Sequence, residues 1–184
     1  MERYAMEVSG GCQCGAVRYH TTHMLDNAHI CHCRMCQKAV GNIFAALVAA
    51  PRDTLVWTRG APSRFASSEH VERGFCRDCG TPLFYDNTEG DRINLTIGSL
   101  DHPEFFPPSA NTGQEGQVPW FTTLTSIADG GATENGQEAW ADAIKSTNHQ
   151  HPDRDTDRWP DSALGVGQSK TENAVGLDQS KTEK

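Results

Sequence analysis

No apolar run in the chain approaches the roughly 18 residues that a membrane-crossing helix needs. The first residues, MERYAMEVSGGCQCG, lack a cationic start followed by an apolar stretch, so no secretory leader is read there. An excess of cations is missing as well. Sixteen Lys plus Arg stand against 24 Asp plus Glu, a net charge of −8. Up to residue 130 the count is ten against 14. Nucleic-acid binding needs clustered cations for phosphate contacts, and that class is excluded as an expectation. Hydrophobic residues are only 36% and aromatic residues 8%, too few for one dense core over all 184 residues.

The shortage is concentrated at one end. Residues 131–184 contain no Cys, Phe or Tyr, and 13 of these 54 residues are hydrophobic. Such a segment cannot offset its own ordering entropy. The expected organisation is a domain over 1–130 and a polar, largely disordered tail over 131–184. The hexapeptide QSKTEN at 168–173 returns as QSKTEK at 179–184, a short duplication within that tail. One tail segment, near 136–146, is predicted to be helical. Asn135 is its candidate N-cap, Glu138 follows three residues on, and Trp140 and Ile144 are four apart.

The body reads as β. Short β-branched or aromatic runs at 16–21, 43–49, 54–57, 64–67, 71–75, 83–85 and 93–97 are separated by Gly, Pro, Asp or Asn. That pattern predicts a small antiparallel, all-β sheet fold. No body segment shows sustained helical periodicity.

What the chain has in abundance is cysteine in tight groups. Cys12 and Cys14 lie in GGCQCG; Cys31, Cys33 and Cys36 lie in CHCRMC; Cys76 and Cys79 lie in FCRDCG. Seven thiols cannot all pair within one chain. Without an export signal the expected compartment is the reducing cytoplasm, where such groups bind metal. Zinc takes thiolates in tetrahedral array, and each spacing lets one loop supply two ligands. Two pairs make a closed four-thiolate site. The triplet leaves one position open for substrate or water. Other partitions of seven remain open on spacing alone. A redox role for Cys76-Arg-Asp-Cys79 is disfavoured by the Gly80-Thr81-Pro82 that follows, which suits a zinc knuckle better than a helix start. His32, inside the triplet, is either a ligand or, since neighbouring extended side chains point apart, a group that supports the ligands from behind or faces substrate.

GGCQCGAVRY, CHCRMCQKAVG and FCRDCGTPLFY, continued by INLTIGSLDHPEFFPP and the VPWF at 118–121, resemble the family of glutathione-dependent formaldehyde-activating enzymes, which includes the centromere protein V type. The resemblance covers about residues 8–125. It implies an Mss4-like, zinc-stapled β fold with two zinc ions per chain. By resemblance, Cys12, Cys14, Cys76 and Cys79 hold a structural zinc, and Cys31, Cys33 and Cys36 hold a catalytic one. It further implies carbon–sulfur lyase chemistry joining a small thiol, glutathione, to a small aldehyde, formaldehyde. His32, Arg34 and Gln37 are the candidate donors for the developing alkoxide. The segment 109–117 (SANTGQEGQ) departs from the family pattern, being polar and Gly-rich where a strand is expected. The alternative is a zinc-stapled binding module of the same fold without catalysis, which a triplet lacking an open pocket would favour.

Overall fold

The computed structural model describes residues 1–159. Three strands, β1 (Arg3–Gly11), β2 (Arg18–Leu25) and β5 (Leu55–Arg59), form an antiparallel sheet in the order β1-β2-β5. A second sheet runs β10-β3-β4-β9-β8-β7-β6. Its members are β3 (His29–Cys31), β4 (Ala45–Pro51), β6 (Ser63–Ala66), β7 (Val71–Phe75), β8 (Pro82–Asn87), β9 (Arg92–Thr96) and β10 (Ala110–Thr112). All its pairings are antiparallel except β10 with β3, which is parallel. The fold is thus β-dominated, and no described helix is long and apolar enough to cross a membrane.

The core fills the space between the sheets. Val8, Tyr19 and Met24 from the first meet Val48, Phe84 and Leu95 from the second. β4 reads AALVAAP and is buried at six of its seven positions, which the small side chains permit in the middle of the larger sheet. The fully buried Tyr19 satisfies its hydroxyl on Ser99 Oγ at 2.7 Å and meets the edge of Trp57 with ring centroids 5.7 Å apart. Gly10 has to be glycine there, because a Cβ would lie 2.4 Å from the Tyr19 hydroxyl.

Four elements differ from the sequence expectation. β1 lies ahead of the first expected strand; its outer half is exposed, so it carries no inward–outward alternation to read. Helix α1 (Arg34–Val40) has seven residues, too few for periodicity to register. Its N-cap is the Cys33 sulfur, which accepts from the Cys36 N–H at 3.4 Å, in place of the usual Ser, Thr, Asp or Asn. Gly41, in the left-handed region at φ 64°, ends it. β3 is three residues long. The fourth is β10, which forms inside the Gly-rich segment read as non-strand. Thr112 O takes the His32 N–H at 2.9 Å, so edge pairing supplies what residue propensity does not.

Beyond residue 130, helix α2 spans Glu138–Thr147. It starts after Gln137, whose side chain makes no cap, and it leaves Trp140 and Ile144 exposed. Residues 150–159 lie against the body. The His151 N–H donates to Gln13 O at 2.7 Å, and Trp159 Nε1–H donates to Cys14 O at 2.7 Å. Arg59 donates to Thr156 O. Arg18, itself buried, binds Asp101 at 2.7 Å and Asp155 at 2.8 Å. This docking is mainly polar, which an apolar residue count does not detect. The QSKTEN duplication lies outside the described residues.

Candidate functional site

Two turns bring four thiols together under the strap formed by residues 150–159. In the first, Gly15 N–H closes on Cys12 O at 3.0 Å; in the second, Gly80 N–H closes on Cys76 O at 2.9 Å. Both glycines sit at φ 78°, where a side chain would be strained. Cys12, Cys14, Cys76 and Cys79 present sulfurs that all lie within 4.8 Å of one another. Cys12 and Cys14 sulfurs are 3.6 Å apart, and those of Cys14 and Cys76 are 3.9 Å apart. A disulfide needs about 2.05 Å. Four sulfurs each about 2.3 Å from one ion stand about 3.8 Å from each other in a regular tetrahedron, so the spacing fits a tetrahedral metal. The electrostatics agree. Burial raises the Cys14 thiol strongly and pushes Cys76 up to about 12. Cys79 goes down to about 7: burial opposes ionisation, but the Thr81 hydroxyl and nearby backbone groups outweigh it. Four thiols this close, three of them buried, become thiolates together only with a cation among them.

The triplet is built differently. Cys31 ends β3, Cys33 caps α1, and Cys36 sits in the first turn of α1, so one strand-to-helix corner supplies three sulfurs within 4.8 Å of one another. Burial pushes Cys36 up to about 12, against the opposing pull of Arg73. Cys31 is lowered: burial opposes ionisation, yet hydrogen bonds from the Cys33 backbone and the Thr112 hydroxyl prevail. Three soft donors in this array fit zinc with one position left for another ligand.

All three triplet cysteines line a cleft of about 540 Å³. Another part of its wall is a row across three strands. Arg73 on β7 pairs with Tyr85 on β8, which pairs with Asn94 on β9, so the three side chains share one sheet face. Arg92, two residues before Asn94, lines the same cleft. Arg73 is buried, donates to the Cys36 sulfur at 3.5 Å and stacks 5.1 Å over the Tyr85 ring. Burial raises the Tyr85 pKa, so its phenol keeps its proton at neutral pH.

The expected donors occupy other places. His32 is fully buried. Its Nε2 is 3.3 Å from both Asn111 Oδ1 and Gln117 Nε2, and its ring meets Phe121 and Phe44 edge-on, with centroids 4.5 and 6.0 Å away. It lines neither cleft beside the triplet. Gln37 is buried and donates to His32 O at 2.8 Å and Gly116 O at 2.7 Å, tying α1 to the 109–117 segment. Arg34 donates to Gln37 Oε1 at 3.0 Å and borders a second cleft beyond Met35. The glycines of that segment have a purpose: a Cβ on Gly113 would lie 2.5 Å from Cys33 N, and one on Gly116 would lie 2.4 Å from His32 O. Arg73, Tyr85 and Arg92 escaped the sequence reading because they are far from the triplet in sequence. The one available signal was strand alternation from Val71 to Phe75, which does not say which face meets the thiols.

Comparison with known proteins bears on the same residues. The profile of the glutathione-dependent formaldehyde-activating enzyme family matches residues 7–114, and the chain belongs to that family. An uncharacterized lyase of Schizosaccharomyces pombe is 29% identical over 84 residues, which is 46% of this chain. The aligned stretch spans 61% of that relative's length. A crystal structure of a Rhodobacter sphaeroides protein aligns with 23% identity and a TM-score of 0.47, covering 56% of this chain and 99% of that one.

Proposed function

We propose that this member of the formaldehyde-activating family is a carbon–sulfur lyase-type enzyme that adds a small thiol, of the glutathione class, to an aldehyde. The observation that carries the reading is the opening of the three-cysteine cluster onto a cleft of about 540 Å³ walled by Arg73, Tyr85 and Arg92.

Two zinc ions are proposed. Cys12, Cys14, Cys76 and Cys79 would hold one as a staple; Cys31, Cys33 and Cys36 would hold the other. Zinc at the triplet would supply a fourth position where an incoming thiol loses its proton more readily. The chain's own groups do the rest. Arg92 offers a guanidinium to a carboxylate of the thiol. Arg73 places positive charge where the carbonyl oxygen becomes an alkoxide. Tyr85, still protonated, offers a phenol hydroxyl to the same oxygen. The sulfur–carbon bond forms as the carbonyl π pair moves to oxygen, and the proton lost by the thiol ends on that oxygen. His32 and Gln37 act as positioning residues that hold the β3–α1 corner against 109–117.

Cobalt-substituted full-length protein tests this reading. Glutathione at millimolar concentration should increase thiolate-to-cobalt charge-transfer absorption in the wild type and leave Cys36→Ser unchanged. An unchanged wild-type spectrum would overturn the thiol-binding mechanism and favour the non-catalytic module.

A further inference from the structure

A second cleft, of about 530 Å³, adjoins the first. Met35, Leu47, Arg73 and Tyr85 line both, so the two adjoin along these residues. Beyond that junction the walls are mainly apolar, with Val40, Phe65, Phe75, Pro82 and Phe84 beside the cations Arg34 and Lys38. Phe65 is 62% exposed and Met35 61%, and Phe75 is also exposed, so the groove presents apolar side chains to solvent next to the reacting groups. Formaldehyde is little larger than water, which occupies about 30 Å³ in the liquid. It leaves such a groove unused. A concave apolar groove next to convergent polar groups is the usual form of a ligand site.

We infer that the groove is a subsite for the apolar tail of a longer aldehyde, so that the adduct carries an alkyl or aryl group on the carbon bonded to sulfur. This inference rests on the thiol-addition reading and deepens it by naming the substrate class. The geometry sets the division. The thiol's peptide-like body, with its carboxylates, faces Arg92 in the first cleft. The carbonyl carbon sits by Arg73 at the junction, and its substituent extends past Met35 towards Phe65. The reaction is unchanged: one sulfur–carbon bond forms, the carbonyl π bond opens, and the thiol proton passes to oxygen. The same groove would take the tail in the reverse direction, when the adduct releases its aldehyde.

S-alkylglutathiones mimic the adduct without breaking down, and calorimetric titration into the zinc-loaded full chain separates the two layers of the argument. The step from glutathione to S-methylglutathione removes the thiol; lower affinity there supports sulfur binding at the triplet. The series from S-methyl through S-butyl to S-hexyl reads the groove alone. Each added methylene should tighten binding by up to about fourfold until the groove is filled. Phe65→Glu, at an exposed position outside the thiol cleft, should flatten the series while glutathione itself binds as before. A flat series in the wild type overturns the subsite while leaving thiol binding intact. A series that rises equally in Phe65→Glu overturns it too, since the tail then lies elsewhere. Binding by neither glutathione nor any derivative overturns both layers. A micromolar dimer that Phe65→Glu dissociates assigns the groove to a second copy of the chain, and overturns the subsite as well.

Discussion

Arg73 Nη2 donates to the Cys36 sulfur at 3.5 Å, joining β7 of the larger sheet to the first turn of α1. The guanidinium is buried and braced on one side by the Tyr85 ring, and its Nε donates to Ser67 Oγ at 3.3 Å. It is therefore held in one orientation against the Cys36 thiol, where the two clefts adjoin.

Removing that charge should affect turnover more than binding. Arg73→Gln is expected to lower kcat by about 10²-fold, the usual loss when one preorganised donor to a developing oxyanion is removed. Arg73→Lys should restore part of it, because the charge returns without the planar fork. Exchange of carbon-13 formaldehyde with its glutathione adduct, followed by NMR, measures the rate. A kcat unchanged in Arg73→Gln would exclude the residue from the chemistry.

The two cysteine clusters should separate under mutation and chelation. Cys79→Ser breaks the closed four-sulfur array beneath the strap, and insolubility or a large drop in Tm is expected. Cys36→Ser should leave the fold largely intact and abolish adduct formation. With both sites present, a chelator should remove one equivalent of zinc early and the second only with unfolding. A single tightly held metal at saturating zinc would contradict the two-site arrangement.

Deleting residues 149–184 should lower stability, contrary to what composition suggests. The deletion removes the Trp159 indole from Cys14 O, the buried His151 from Gln13, and Asp155 from Arg18. Asp155 is itself about half exposed, so its ion pair contributes little. The lost hydrogen bonds and the uncovered surface together predict a loss of about 1–3 kcal/mol, read by denaturant unfolding. Zinc should also leave the four-cysteine cluster faster in the truncated chain. Unchanged stability would show that the strap contributes nothing to the body.

Gly74→Ala tests the packing behind Arg73. A Cβ there would lie 1.9 Å from the Phe84 ring, which is buried in the core between the sheets. Overpacking at such a position costs about 1–3 kcal/mol. A fall in Tm with full zinc content is expected. An unaltered Tm would mean that the ring moves aside freely.

Much of this protein was readable from one dimension because its chemistry is local. The spacings within Cys12-Gln-Cys14, Cys31-His-Cys33 and Cys76-Arg-Asp-Cys79 bring each group's sulfurs close through a single turn, whatever the rest of the chain does. The strands from 71–75 and 93–97 were legible because alternation and bounding turns act within a few residues. Tertiary structure alone decided three things. It made β10 from a glycine-rich segment, since parallel pairing with β3 and contact with the Cys33 backbone outweigh weak strand propensity. It took His32 from the reacting groups to a buried contact with Asn111 and Phe121, because adjacent residues on an extended chain face opposite ways. And it set Arg73, Tyr85 and Asn94 in one row beside the thiols, a row created by cross-strand register, which links residues that no sequence window contains.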